Sequence, residues 1–483
     1  MTGLVAARLW LAPLGSSLWL DETGTYWTIQ DGLTGIAGRS YSPPQSLVYF
    51  YIAGTAAALG GASEVVLRLP SVAAMGLAAL LLYRLGRRLL GREGALWAAL
   101  VFVCWKEVAF AACDARAYAL GVLAVVAAAL MLVRWLDTGS YRDGLCYAAL
   151  ASLTAYLHDL FAVMFLVHAG YAAYVFGTGR RPVRPANAAA VCAASGILLL
   201  PLLASFGKLV ARGSIFSYAA QAETSQLFAS FAPPVVLGSI LAGLLLAYFV
   251  QPAGRLAEAR GRPERMLLMV LWAAVPPVAL FAISLVTPYE VFVPRYFLCH
   301  VPGLALLAGW ALRSIAPAHK QVIVAGALAA GALAGFGSLR HATFAHTGEN
   351  WRDANRAAAR MVRESRMPVV VHSGFVLPVN EVLHGDSLAI SRYLAPLSLY
   401  PIPGEIIPLP YEPGQEAEQY LERLAADRLA GANRFLLVSR GGNGVVAAWL
   451  EGRFAGTFER TRTRQFGNIA LLLFERCGRT AAP

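Results

Sequence analysis

The sequence predicts a mainly α polytopic membrane protein, a helical bundle of about ten or eleven spans, followed by a small C-terminal α/β soluble domain. Three observations carry this expectation. The chain of 483 residues is 58% hydrophobic and only 14% charged, with a mean hydropathy of +0.56, well above a soluble globular composition. Apolar runs long enough to cross a hydrocarbon core of roughly 30 Å recur from Glu64 to Gly337. From about Leu339 onward the texture turns mixed and charge-rich, which sets the boundaries at 1–338 for the transmembrane domain and 339–483 for the soluble one.

The spans are expected near 64–83, 95–112, 117–135, 144–158, 160–177, 187–206, 233–250, 267–287, 297–313 and 321–337. A short apolar stretch ahead of residue 20 carries Arg8 and reads as a truncated first helix, with no cleavage site of the signal-peptide kind. Tyr49 to Leu59 is too short to span and reads as an interfacial helix. The formal charge of +12 would raise the question of nucleic acid in a soluble protein. Here it concentrates in short loops, Arg84 to Arg92, Arg180 to Arg184, Arg255 to Arg265 and Arg313 to Lys320, so the positive charge marks cytoplasmic connections and the partner is the lipid bilayer rather than nucleic acid. The other connections, 20–63, 113–116, 158–160, 207–232 and 288–296, then fall outside, as does the soluble tail. Six cysteines, mostly within apolar runs, imply no disulfide framework.

Acidic residues gather on the outer connections: Asp21, Glu22, Asp31, Glu64, Glu107, Asp114, Asp159, Glu223 and Glu290. Carboxylates at a bilayer are costly, so their clustering points to function, although Asp31 and Glu223 read as solvated loop charges. In Ser17-Leu18-Trp19-Leu20-Asp21-Glu22 the two adjacent carboxylates follow an apolar stretch, where low dielectric and a like neighbour raise at least one pKa and suit a base. A helix start is the equal alternative, since Asp favours an N-cap and Glu a first turn. Asp114 and Arg116 either pair locally or divide between an acceptor and a phosphate, whose oxygens the planar guanidinium binds two at a time. His158, between Tyr156 and Asp159, reads first as a structural hydrogen-bonder. Arg295 either snorkels to headgroups or holds a lipid-linked phosphate with Glu290 beside it. No metal-ligand spacing is evident; Asp114 with Asp21 or Glu22 could share a divalent ion, the one cofactor the sequence leaves open. Gly441-Gly442-Asn443-Gly444 lacks the Walker Lys and reads as a turn.

The ordered motifs SLWLDE at 17–22, SPP at 42–44, SEVVLRLPS at 63–71, GRRLLGREGAL at 86–96, DARAYAL at 114–120, YLHDLF at 156–161 and VPRYFL at 293–298 resemble the GT-C superfamily of bacterial membrane glycosyltransferases. The nearest group is the family-39 type, related to protein O-mannosyltransferases and lipid A aminoarabinose transferases. Asn350-Trp351-Arg352-Asp353, opening a helix after the final span, fits the same pattern. The resemblance implies inverting transfer from a polyprenyl-phosphate-linked sugar to an acceptor hydroxyl, at the periplasmic face of the inner membrane, with the catalytic machinery in 1–338 and a periplasmic tail. It implies Asp21 as the base with Glu22 beside it, Asp114 for acceptor or metal positioning where the family more often has Glu, and Arg116, Tyr118 and Arg295 near the donor phosphate. Lys106, His158, Tyr289 and Glu290 are acceptor-side or supporting candidates. The competing class is a transporter or flippase of lipid-linked sugars. It would show mid-membrane charges and broken helices in internal repeat, whereas the acids here sit at one face.

In the tail, Val369 to His372, Arg434 to Val438 and Asn468 to Phe474 are predicted strands, and 351–364 and 414–429 helices. His372, Asn380 and Glu381 near a strand end are weak acceptor candidates.

Overall fold

The computed structural model describes residues 1–40, 46–179, 182–211, 221–250, 263–315, 318–336, 346–375, 382–411, 414–441 and 444–478. The motif at 42–44, Asn380 and Glu381 lie outside them. Two compact units form: Met1–Leu14 with Leu33–Phe344, and Gly15–Gly32 with Ala345–Pro483. The short segment 15–32 groups with the C-terminal unit.

In the first unit each expected span overlaps a helix, though 95–112 is interrupted at Cys104 and 297–313 is α-helical only over Val301–Leu312. Glu64–Val103 is continuous by hydrogen bonding, yet Gly91 inside it takes φ +86° and ψ −177°. A Cβ placed on Gly86 would lie 3.0 Å from the Cα of Ala95. Nine residues of straight helix would separate those positions by about 13 Å, so the chain doubles back at Gly91, where a residue without Cβ is needed. The first two expected spans are the two arms of this hairpin, and the second arm breaks at Cys104 before a short helix, Lys106–Ala112. Tyr118–Thr138 follows, ended by Gly139 at φ +65°. Ser140 then opens Tyr141–Leu157 by accepting the Asp143 N–H. Met164–Gly177, Pro185–Ala211, Pro234–Val250, Pro263–Val286, Val301–Leu312 and Ala318–Gly335 complete the unit. Leu47–Gly60 is the short helix expected at 49–59, and the N-terminal stretch is helical over Thr2–Ala6 with a π turn over Ala7–Leu11. Among the described residues five helices are long and apolar enough to cross a membrane, or six if Thr224–Phe231 and Pro234–Val250, bent by 46°, form one span. The chain is a multi-pass membrane protein.

The arginines of three expected inner loops mark one end of this bundle. Nη1 of Arg313 donates to Leu90 O at 2.7 Å and Nη1 of Arg265 to Leu89 O at 3.3 Å. These carbonyls end the first arm of the hairpin and are left over by the helix itself. Arg88 pairs with Asp137 at 2.8 Å, joining the same end to the last turn of Tyr118–Thr138. That helix is about 30 Å long at 1.5 Å per residue, so Tyr118, which starts it, stands at the far end.

The second unit is built on a five-stranded mixed sheet: β1 (Val369–His372), β2 (Ile406–Pro408), β3 (Arg434–Arg440), β4 (Phe458–Phe466) and β5 (Ile469–Arg476), in the order β2-β1-β3-β5-β4. β1 runs parallel to both β2 and β3, while β5 is antiparallel to β3 and β4. β1, β3 and most of β5 are buried on both faces, as continuous apolar runs such as Phe435-Leu436-Leu437-Val438 require. One core gathers Val370, Phe435, Leu437, Leu450, Leu472 and Phe474. β4 is the exposed edge and carries Arg460, Arg462 and Arg464, charges that discourage further pairing. Helix Trp351–Ser365 opens on Asn350, whose side chain accepts the Asp353 N–H, and packs on the sheet. The three predicted strands and two predicted helices are present; β2 and β4, short or polar, carry no apolar run and were not expected.

Candidate active site

Each unit holds its own share of the expected site residues. In the first, Asp114 to Ala117 form a tight connection between Lys106–Ala112 and Tyr118–Thr138. The Arg116 N–H donates to Asp114 O at 2.7 Å, and Ser71 Oγ to Arg116 O at 3.4 Å. Asp114 is fully buried and Arg116 half-buried. His158 ends Tyr141–Leu157 in an extended conformation (φ −155°). Its ring lies 5.3 Å from Tyr118, 4.9 Å from Phe161 and 5.3 Å from Tyr296. Arg295 lies over the Tyr296 ring at 5.2 Å. Burial first, then the positive charges of Arg116 and Arg295, push the His158 pKa down to about 3. The structure thus brings Arg116, Tyr118, His158, Arg295 and Tyr296 together, at the end of the bundle remote from Arg88. The imidazole is neutral at neutral pH, and the positive charges acting on it are the guanidiniums of Arg116 and Arg295.

The fifth outer connection is fixed by Ser284, whose Oγ accepts the N–H groups of Val291 and Phe292, both at 2.9 Å. This holds Tyr289 and Glu290, both half-buried, next to an aromatic cluster of Phe281, Phe292 and Phe297. Lys106 is exposed at the start of its short helix. Oε2 of Glu107, Oδ1 of Asp159 and Oε2 of Glu290 are shut off from solvent with no hydrogen-bond partner among the described residues. Acceptor atoms in that state carry a desolvation cost that a hydroxyl donor would relieve.

In the second unit the acidic pair starts a helix, Leu20–Ile29, with Trp19 as N-cap. Glu22 is fully buried at the third helical position, and its Oε2 accepts the Trp19 N–H at 3.2 Å, one half of a capping box. Asp21, one position earlier, is half-buried. Of the two readings left level by the sequence, the helix-start one is met by Glu22, which caps, while Asp21 keeps a side chain partly open to solvent.

The segment ahead of the pair is held by residues more than three hundred positions away. Tyr400 Oη accepts the Leu18 N–H at 3.0 Å, and Glu349 Oε2 accepts the Leu20 N–H at 2.9 Å. Ser17 Oγ accepts the Arg352 N–H at 3.1 Å, Gly15 O accepts Nη1 of Arg352 at 2.9 Å, and Ser16 Oγ accepts the His346 N–H at 3.0 Å. Sequence reasoning singled out Asn350 to Asp353 only as a helix opening, and missed Glu349, Tyr400 and Arg440. The one available signal was position, since Glu349 directly precedes that motif. His372 is buried in β1, donating through Nε2 to Tyr411 O at 3.2 Å with Ser439 Oγ 3.3 Å from Nδ1; these bonds make it part of the sheet's packing.

A bundle of apolar helices with a small mixed sheet is the fold of the GT-C glycosyltransferase structures to which this chain is similar. Residues 43–204, about a third of the chain, match the family model described as dolichyl-phosphate-mannose-protein mannosyltransferase. The structure is similar to that of ArnT from Cupriavidus metallidurans in the apo state, at TM-score 0.56 and 13% identity, covering 98% of this chain and 96% of that one. The same ArnT bound to undecaprenyl phosphate gives TM-score 0.56, 14% identity and the same coverage. Arabinofuranosyltransferase AftD from Mycobacteria is similar at TM-score 0.50 and 15% identity, over 98% of this chain but 39% of that one. No curated protein matches in sequence.

Proposed function

We propose that the chain is an inverting glycosyltransferase that moves a sugar from a polyprenyl-phosphate donor to an acceptor hydroxyl, at the periplasmic face of a bacterial inner membrane. The observation that carries this reading is the convergence of Arg116 and Arg295 around a neutral His158 and the rings of Tyr118 and Tyr296. The similarity to ArnT, which has been captured with undecaprenyl phosphate, supports the donor class.

The chemistry follows from the charges. A sugar joined to a lipid phosphate carries its own leaving group. As the hydroxyl attacks the anomeric carbon from the opposite face, the bond from that carbon to the phosphate oxygen breaks and the phosphate gains a second negative charge. Two guanidiniums beside it stabilise that growing charge more than the ground state, which is what lowers the barrier. Asp21 accepts the hydroxyl proton as the new bond forms. Asp114, with Glu290 and Tyr289, is assigned to the acceptor side, and Glu22 to support of Asp21. The donor's lipid tail stays in the bilayer throughout, which suits a site at the end of a span.

The test is sugar transfer from a polyprenyl-phosphate sugar by the full chain in detergent, comparing wild type with D21N. Loss of transfer with donor binding retained is the expected result. Full activity in D21N would remove Asp21 from the mechanism.

A further inference from the structure

The geometry points to Glu349 as a positioning residue that sets the placement of Asp21, with Arg440 as its charge partner. The inference rests on the reading of Asp21 as base and adds to it a role for the C-terminal unit.

Glu349 is buried, with 5% of its surface exposed. Both carboxylate oxygens are used. Oε2 accepts the backbone N–H of Leu20 at 2.9 Å and Nε1–H of Trp351 at 3.0 Å, and Oε1 accepts Nε–H of Arg440 at 2.7 Å. All three partners are donors. A carboxylate offers acceptor lone pairs on both of its oxygens, enough for all three donors. The Leu20 N–H is one of the orphan donors of the first turn of the helix that carries Asp21 in its next position. Its bond to Glu349 therefore fixes the backbone one residue ahead of the proposed base.

The anchor is itself rigid. Glu349 bridges to Gly467 at the turn between β4 and β5, Asn468 N–H donates to Gly348 O at 2.7 Å, and Gly441 N–H donates to Asn468 O at 2.9 Å. Arg440 is the last residue of β3. The carboxylate is thus tied to the ends of β3, β4 and β5, and passes that placement to Leu20. At the carboxyl ends of β1 and β3, where parallel sheets of this kind often hold a ligand, Arg440 instead serves this ion pair. Phe375, just beyond β1, reaches the Asp21 helix at Gly24, where an added Cβ would come within 3.2 Å of its ring.

The experiment uses the full chain in detergent with E349Q, R440M, the double variant, and D21N alongside. Transfer kinetics give kcat and donor KM, and hydrogen exchange gives the protection of the Leu20 amide. In E349Q an amide nitrogen must face either Arg440 or Leu20, donor against donor. Expected are a fall in kcat of roughly 10²-fold, the scale of a misplaced reacting group, an unchanged donor KM and faster exchange at Leu20. In the double variant the amide nitrogen can turn toward the side that Arg440 has left, so kcat and Leu20 protection recover relative to E349Q. A plain loss of stability would not produce that recovery. Wild-type kcat in E349Q, or unchanged Leu20 protection in both E349Q and a second variant, E349A, overturns the positioning role. Full activity in D21N overturns the reading beneath it instead, and the Leu20 protection then still reports whether Glu349 holds the segment.

Discussion

Glu349 accepts the backbone N–H of Leu20 at 2.9 Å across 329 residues of sequence. The bond joins the two motifs that stand at the opposite borders of the membrane domain in the sequence, Ser17 to Glu22 and Asn350 to Asp353. Arg352 adds the same link through Ser17 and Gly15, and Tyr400 through Leu18. Five residues of chain ahead of the acidic pair are thereby bonded to the C-terminal unit. That unit acts on Asp21 as a frame, a role with more geometry behind it than acceptor selection by His372.

Asp21 and Glu22 differ in environment, so their variants differ in kind. Glu22→Ala removes the acceptor of the Trp19 N–H in a buried setting, and the expected cost is about 1–3 kcal/mol of stability of the C-terminal unit. Asp21→Asn leaves that bond intact and is expected to cost less stability than E22A while abolishing transfer. Thermal unfolding and transfer measured on the same preparations check both. A D21N protein as unstable as E22A would contradict the division.

The bundle was legible because membrane spans announce themselves by length and apolarity, and the β1, β3 and β5 runs because strands buried on two faces are continuously apolar. The hairpin at Gly91 was implied by Arg84 to Arg92, which no span could carry through the bilayer centre. Tyr118, Arg116 and Arg295 were picked out through resemblance, and the structure groups them around His158. Glu349 was illegible for a physical reason. Its role depends on a contact across the whole membrane domain and on the ends of β3, β4 and β5, and a lone Glu before a helix carries no local pattern. β4 was missed because an edge strand rich in Arg lacks the alternation that marks a half-buried one.

Arg295 and Arg116 are expected to act on the donor through planar pairing as well as charge. Arg295→Lys keeps the charge but offers a single point donor, and Arg295→Gln removes the charge. Donor binding is expected to weaken roughly tenfold in R295K and more in R295Q, the scale of losing about 1.4 kcal/mol of charge-assisted bonding. Titration of the purified protein with a polyprenyl phosphate, followed by tryptophan fluorescence, gives both constants. Equal affinities in all three proteins would place the phosphate elsewhere.

His372 makes the C-terminal unit sensitive to acid. Burial pushes its pKa down, the carbonyls of Tyr411 and Arg440 pull upward, and the Arg440 charge again lowers it. In the unfolded chain the imidazole titrates at about 6.5. Between the lowered folded value and that point the unfolded state binds more protons, so stability rises with pH there. The contribution is complete above about pH 7.5 and is lost progressively as pH falls below about 6.5. Hydrogen exchange of the β1 amides, corrected for intrinsic rate, is expected to show protection falling from about pH 7.5 to about pH 5.5, and the fall is expected to flatten in H372Q. The same slope in H372Q would assign the effect to another group.

Gly467 tests the frame from a distance. It turns the chain between β4 and β5 at φ +60°, and a Cβ there would fall 1.9 Å from Gly348 O, an impossible approach. Gly467→Ala must therefore strain the left-handed backbone, at about 1–2 kcal/mol, and also push the Gly348–Glu349 strand off the turn. The alanine touches neither Asp21 nor Leu20, so a local account predicts a loss of stability alone. Transmission through Glu349 predicts more: transfer in G467A with lowered kcat, donor KM unchanged and faster exchange at the Leu20 amide. Measuring all three below the unfolding midpoint separates the accounts, because a frame that does not reach Asp21 leaves kcat at the wild-type value in the folded fraction.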